Sequence, residues 1–379
     1  MSSRTVREAV KVLLLSAYDA HSHRRWRHGL VAAFPDWDWT VLALPPRHFS
    51  WRVRGNSLSW AFGERHTLEQ TYDVIIATSM TDLSALKGMV PSLAMIPSLV
   101  YCHENQFAYP HQPERVQRNE PGITGLYAML AADRVLFNSD YNRTSLLEGA
   151  RAVLAQMPDA VPPGVVNQLA DRTAVLPVPL EDDWFEAPPR RNGPFTLLWN
   201  HRWEFDKAPE RLLAALLKFR GAGAEFRVHV AGQQFRQRPA VFADLHEKFG
   251  DCIGQWGFVE ATADYAQLLR ESHVVLSTAL HEFQGLAVLE AAACGCVPLV
   301  PDRLAYPELF PAACRYPSFP DEPAREGEVI ADALLGLYEQ YRQGALPAAP
   351  DVSVLAWSKL ARTYENEIRS VVARAGEMQ

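Results

Sequence analysis

The chain has 379 residues, enough for two domains that each bury a core. With 48% hydrophobic and 21% charged residues it has a globular composition, and no apolar run reaches the roughly 18–20 residues of a membrane span. A net charge of −7 argues against a general polyanion binder, yet residues 1–60 hold 9 Lys/Arg against 4 Asp/Glu, so an anionic macromolecule would meet the N-terminal half first.

KVLLLSA (Lys11–Ala17) reads as a strand and RRWRHGLVAAF as the helix after it; the short apolar core of the N-terminal stretch does not read as a signal peptide. WTVLALP, DVIIATS, PSLVYCH and RVLFNSD are further strands, with MTDLSALKGMV and PGITGLYAMLAADR as helices between them. The strands are continuously apolar, as strands covered on both faces are, and their alternation with helices predicts βαβ units and a parallel sheet. LPVPLEDDWFEAPPRRNGP, with its prolines and charges, breaks the pattern and predicts a linker over 179–193. A second series follows: strands FTLLWNH, FRVHVAG, CIGQWGF, HVVLSTA and CVPLVP, with helices APERLLAALLKFRGAG and TADYAQLLRES. Residues 1–178 and 194–348 therefore read as two α/β domains, each a doubly wound, Rossmann-like parallel sheet. Residues 349–379 carry an amphipathic helix suited to pack back onto the first domain. The five cysteines lie in apolar runs without paired C-x-x-C motifs, which points to thiols in a reducing cytoplasm.

Open α/β sheets bind ligands beyond the carboxyl ends of their strands, and two facing domains would put two such edges around one cleft. AYDAHSHRRW sets His21 and His23 after the first strand; without a third ligand they suit substrate or phosphate better than a metal. PDWDW imitates a D-x-D metal motif but lies between helix and strand, so a turn is expected there and no metal. The loop PPRHFSWRVRG interleaves Arg47, Arg52 and Arg54 with Phe49 and Trp51, a mixture suited to phosphate contact and base stacking, or to a packed structural loop. HENQ puts His103, Glu104, Asn105 and Gln106 directly after a strand. His103 is a candidate for hydroxyl binding or proton transfer, with a satisfied structural histidine as the plainer alternative. In FNSDYNR, Asn138 and Ser139 read as caps of the next helix.

HRWEFDK brings Arg202 and Lys207 to the start of a helix, where cations favour bound phosphate; the alternative is a solvated loop with a Glu204–Lys207 pair. HEFQGLAVLE gathers Glu282, Phe283, Gly285, Leu286 and Glu290. Gly285 permits close backbone approach, and a helix opening near Leu286 offers its amide N–H groups. Carboxylates accept hydrogen bonds from vicinal diols, so Glu282 and Glu290 suit a sugar and a ribose at the two ends of one ligand, with a diphosphate between. The alternative is a capping acid and a paired, partly buried one.

In combination these motifs resemble the retaining glycosyltransferases of family 4, which have the GT-B architecture, two Rossmann-like domains facing across a cleft. Their E-x7-E motif matches Glu282 and Glu290, and their Arg and Lys match Arg202 and Lys207. The resemblance implies that Arg202 and Lys207 bind the donor diphosphate, Glu282 the transferred sugar, Glu290 the ribose, and that His103 lies near the reacting sugar. LPPRHFSWRVRG, YCHENQFAYP, FNSDYNR, HRWEFDK and HEFQGLAVLEAAACGCVPL together resemble the narrower group of tRNA-queuosine mannosyltransferases. That group implies a metal-independent, cytoplasmic, retaining transferase. Its donor is GDP-mannose and its acceptor the cyclopentene diol of queuosine in tRNA, with no cofactor and no stable membrane association. His21, His23, Arg47, Trp51, Arg52, Arg54, Glu104, Asn105 and Gln106 would then face the acceptor. The resemblance departs from its pattern in the first loop, where Asp19-Ala20 stands in place of a frequent glycine. A family 4 transferase acting on a small-molecule, lipid or polysaccharide acceptor is the alternative, and oligomeric state is left open.

Overall fold

The computed structural model describes residues 9–109, 120–186, 193–235 and 238–377. They divide into two units, Met1–Pro179 with Trp357–Gln379, and Leu180–Ala356.

The first unit runs β1 (Lys11–Ser16), α1 (His21–Ala33), β2 (Asp38–Ala43), α2 (Phe49–Gly63), α3 (Arg65–Leu68), β3 (Val74–Thr78), α4 (Leu83–Met89), β4 (Ser98–Cys102), α5 (Glu120–Leu130), β5 (Arg134–Phe137), α6 (Asp140–Leu154), α7 (Val165–Ala170) and β6 (Thr173–Val175). Its six strands are parallel, in the order β2-β1-β3-β4-β5-β6. β3 and β4 are buried along their whole length, which explains their unbroken apolar sequence. Ser139 caps α6 by accepting from the Asn142 amide at 3.0 Å, the role expected of it.

The second unit runs β7 (Phe195–Asn200), α8 (Pro209–Gly221), β8 (Phe226–Ala231), α9 (Val241–Phe249), β9 (Ile253–Gly257), α10 (Thr262–Glu271), β10 (Val274–Leu276), α11 (Leu286–Ala293), β11 (Val297–Pro301), α12 (Tyr306–Leu309), β12 (Arg315–Tyr316) and α13 (Pro323–Arg342). This sheet is also parallel, in the order β12-β11-β10-β7-β8-β9. The chain then closes with α14 (Trp357–Glu377), which belongs to the first unit. There the Trp26 indole N–H donates to the Tyr364 hydroxyl at 3.1 Å, and Arg134 grips Glu367 through two hydrogen bonds of 2.9 and 3.2 Å. Gly29 has no side chain because the Trp357 ring fills the place where one would start.

Two sequence expectations need correction. The basic-aromatic stretch 45–55 is not a loop: from Phe49 onward it is the first half of α2. Val53, Trp60 and Ala61 drive this by entering the core on one helical face, and Gly55 leaves room for the Trp51 ring one turn earlier. The stretch 179–193 is not all linker either. Leu180 donates its amide to the Leu355 carbonyl at 2.8 Å, and Trp184 is buried with its ring edge-on to Tyr265, so this part is built into the second unit. Residues 187–192 lie outside the described ones.

Candidate active site

The strand order of the second unit reverses between β7 and β10, and open α/β sheets bind ligands at such a switch point. The loops leaving these two strands carry the charged residues singled out in the sequence. They are tied together by neutral hydrogen bonds. The Trp199 indole donates to the Thr278 hydroxyl at 2.9 Å, that hydroxyl donates to the Lys207 carbonyl at 2.6 Å, and the Leu280 amide donates to the Asp206 carbonyl at 2.8 Å.

On this frame Lys207, only 5% exposed, donates to the His281 carbonyl at 2.5 Å. It also lies 3.3 Å from both Glu282 Oε2 and Asp206 Oδ2. Burial alone would lower the Lys207 pKa, but the two carboxylates outweigh it and hold the ammonium above its usual value. Glu282 responds in kind: burial, the largest single influence, pushes it up, but Lys207, with His201, the Gly285 amide and His281 behind it, outweighs burial and brings it down to about 2. Asp206 is likewise depressed, Lys207 and His281 overcoming burial. The imidazole of His201 is driven down to about 3, by burial first and then by the Lys207 charge, so it is neutral.

The Glu204–Lys207 pair of the alternative reading does not form; Glu204 pairs with Arg202 at 2.8 Å instead, and Arg202 is 46% exposed. Glu290, buried on α11, accepts from the Tyr265 hydroxyl at 2.6 Å, and that hydroxyl accepts from Asn200 at 2.6 Å. Gly285 caps α11 at φ 74°, in the left-handed region, and a Cβ there would come within 2.9 Å of the Tyr306 ring. Leu286 begins the helix, and buried Phe283 packs edge-on against His281. The structure thus joins Lys207 directly to Glu282 and sets Arg202 on the more exposed side of the same loop. Sequence reasoning gave no role to Asp206, Tyr265 or Thr278. Asp206 stood beside Lys207 in the motif; the other two act across 25 and 71 residues and leave no local signal.

In the first unit the same strand ends are mostly neutral. His103 follows β4, is 6% exposed, and stacks on His23 with ring centroids 4.2 Å apart, while Trp26 and Tyr101 surround it. Its Nε2 is buried without a hydrogen-bond partner, and burial with the His23 charge keeps the ring well below its usual pKa. His23 goes the other way. Burial lowers it, but Glu104 at 3.5 Å and the Tyr18 carbonyl at 2.7 Å from Nδ1 raise it on balance. His21 is exposed at the start of α1. Asp19, in the place of the frequent glycine, is an anchor that accepts from Ser16, Arg24 and Arg27.

Of the residues expected at the acceptor, Asn105 is absorbed by the fold. Its amide donates to the Asn142 side chain at 2.9 Å and to Ser145 at 3.1 Å, and accepts from the Ala108 amide at 2.9 Å. Arg52 points into the protein and is buried, since its position on α2 shares the face of Val53 and Asn56. Arg54 is exposed and reaches Glu120 at 3.2 Å and Asp82 at 3.4 Å. Arg47 is exposed, Trp51 is 54% exposed, and Gln106 touches the Met80 sulfur at 3.9 Å. Among the described residues no three His, Cys, Asp or Glu side chains gather as a metal site, and no helix is long and apolar enough to cross a membrane.

Residues 11–180 match the family described as tRNA-queuosine alpha-mannosyltransferase N-terminal, and residues 181–313 match glycosyl transferases group 1. A tRNA-queuosine alpha-mannosyltransferase of Drosophila melanogaster is 31% identical over 310 residues, covering 79% of this chain and 81% of the fly protein. Among solved structures, Anabaena HepE in complex with UDP and glucose superposes with a TM-score of 0.61 at 14% identity, covering 97% of this chain and 99% of HepE. Sucrose-phosphate synthase of Thermosynechococcus elongatus gives 0.66 at 16% identity, with 97% and 100% covered. The fold is the GT-B fold.

Proposed function

The chain belongs to the tRNA-queuosine alpha-mannosyltransferases, a glycosyltransferase family, and we propose that it transfers mannose from GDP-mannose to the cyclopentene diol of queuosine in tRNA with retention. One observation carries the donor half of this proposal: buried Lys207 paired at 3.3 Å with half-buried Glu282, at the switch point of the second sheet. A lysine held charged out of water is an anion partner that needs no reorganisation when charge develops on a leaving diphosphate. Arg202 and the first amides of α11 add to it. Glu282 accepts hydroxyls of the transferred sugar. Glu290 offers the ribose its carboxylate, already oriented by Tyr265.

Leaving-group charge is met by these groups, so no metal is assigned a step. The glycosidic bond breaks toward an oxocarbenium-like state, and the departing phosphate oxygen takes the proton of the attacking hydroxyl on the same face. His103, neutral and with Nε2 unpartnered, hydrogen-bonds the reacting sugar. The tRNA meets the first unit through Arg47, Trp51 and Arg54 on and beside α2. All five cysteines are free thiols, which supports a cytoplasmic enzyme.

The test is incubation of the protein with GDP-mannose and queuosine-containing tRNA, followed by mass spectrometry of the nucleosides. A gain of one hexose on queuosine is expected, at a rate unchanged by a chelator. Unmodified queuosine under conditions where GDP-mannose is hydrolysed would contradict the acceptor.

A further inference from the structure

Helix α2 is apolar on the side that faces solvent. Val53, Asn56, Trp60 and Ala61 are buried, so an ordinary surface helix would be polar at the positions that remain. Three of those are large hydrophobic residues instead: Trp51 is 54% exposed, Leu58 44% and Phe62 76%. At about 100° per residue, Leu58 and Phe62 each fall within about 20° of the direction of Trp51. The three form one stripe, about 16 Å from end to end. The indole of Trp51 is seated on the helix: a Cβ added at Gly55 would lie 2.3 Å from its Cε2 atom, so the ring covers that glycine. A glycine inside a helix lowers its stability, and here it makes the seat.

Charge decides what such a stripe can hold. From residue 45 to residue 66 the chain has four Arg and one Glu, and α2 itself carries no acid. Arg47 is exposed just ahead of the helix, and Arg54 borders the stripe between Trp51 and Leu58. Arg54 reaches Glu120 at 3.2 Å and Asp82 at 3.4 Å, and Arg65 pairs with Glu69 at 2.6 Å. Exposed pairs of this kind are weak, and a phosphate competes with them. A second copy that met the stripe with its own would set arginine against arginine. A nucleic-acid duplex offers phosphates but keeps its base faces stacked inside. Unpaired nucleotides offer both, bases that stack on exposed rings and phosphates that meet arginines.

We propose that the exposed stripe of α2 is a platform for the unpaired bases of an RNA loop, with one base on Trp51, another on Phe62, Leu58 between them, and phosphates on Arg47 and Arg54. The inference rests on the proposed tRNA acceptor, and no part of it requires the donor assignment. It carries the acceptor surface one and two turns beyond Arg54, to Leu58 and Phe62, and it makes the protein recognise a loop and not a stem.

The test is fluorescence anisotropy of two labelled RNAs, a hairpin with a single-stranded loop and a fully paired duplex of equal nucleotide number, with the full chain at one salt concentration. The hairpin is expected to bind at least tenfold more tightly than the duplex. Trp51→Ala and Phe62→Ala are each expected to weaken hairpin binding about tenfold and to leave duplex binding as it is. Circular dichroism should not change, since both side chains are exposed. Phe62→Trp, which keeps a ring face, should bind the hairpin like wild type; Phe62→Leu, apolar but without a ring, should be as weak as Phe62→Ala. Equal affinity for the two RNAs, hairpin binding untouched by the alanine substitutions, or full binding by Phe62→Leu would overturn the inference. So would a wild-type dimer, seen by analytical ultracentrifugation, that Phe62→Ala dissociates, since the stripe would then belong to a second copy. Loop binding that follows these substitutions, without hexose transfer to queuosine, would uphold the platform and sink the proposed activity. Hexose transfer by Phe62→Ala at the wild-type KM for tRNA would do the reverse.

Discussion

The two units each bury a titratable side chain just beyond a sheet strand, Lys207 after β7 and His103 after β4, to nearly the same extent. Their charge states are opposite. Lys207 meets Glu282 and Asp206 and stays an ammonium; His103 meets aromatic rings and a protonatable histidine and stays neutral. Burial alone would neutralise both, so the neighbour decides the outcome. The second unit thereby offers fixed charge, suited to a diphosphate, and the first offers neutral hydrogen-bonding groups, suited to hydroxyls.

Removing the fixed charge is expected to have the largest effect. Lys207→Ala or Glu282→Ala should lower the initial rate of transfer about a thousandfold or more. Asp206 remains beside Lys207 when Glu282 is lost, so the protein is expected to stay folded by circular dichroism. Near-normal turnover in either variant would erase the contrast. His103→Ala is expected to slow transfer about a hundredfold while leaving GDP affinity unchanged; an equal loss of GDP affinity would mean that the neutral side also serves the donor.

The pair can also be weighed by pH. The folded pKa of Glu282, about 2, lies below its ordinary 4.5. Its contribution is therefore fully present above pH 4.5 and is lost as pH falls through 2. The stability difference between wild type and Glu282→Gln should be constant from pH 7 to 5, at most roughly 3 kcal/mol, and shrink below that. A difference that vanished near pH 6 would assign the titration to a histidine. Smallest of all, Arg54→Glu is expected to raise the KM for tRNA several-fold with salt-dependent size and to leave GDP binding alone. Arg52→Glu would not test the same thing, because Arg52 is buried and its replacement disturbs α2.

Much of this was legible in the sequence where the signal is local. The apolar runs of β3, β4 and β7 could hardly be anything but doubly covered strands, and Gly285 before an apolar run marked the start of α11. Glu282 and Lys207 stood at strand ends, though 75 residues apart, and the strand order that joins β7 to β10 is what brings them together. One misread segment was 49–55, where glycine and aromatics looked like a loop; only the packing of Val53 and Trp60 against the core makes it helical.

On the proposed reading Lys207, held charged by Glu282 and Asp206, grips the donor's diphosphate. Calorimetric titration of GDP into wild type, Lys207→Met and Arg54→Glu tests it most directly. Binding at least a hundredfold weaker is expected for Lys207→Met, with wild type and Arg54→Glu alike. GDP binding of undiminished affinity in a folded Lys207→Met protein would contradict it.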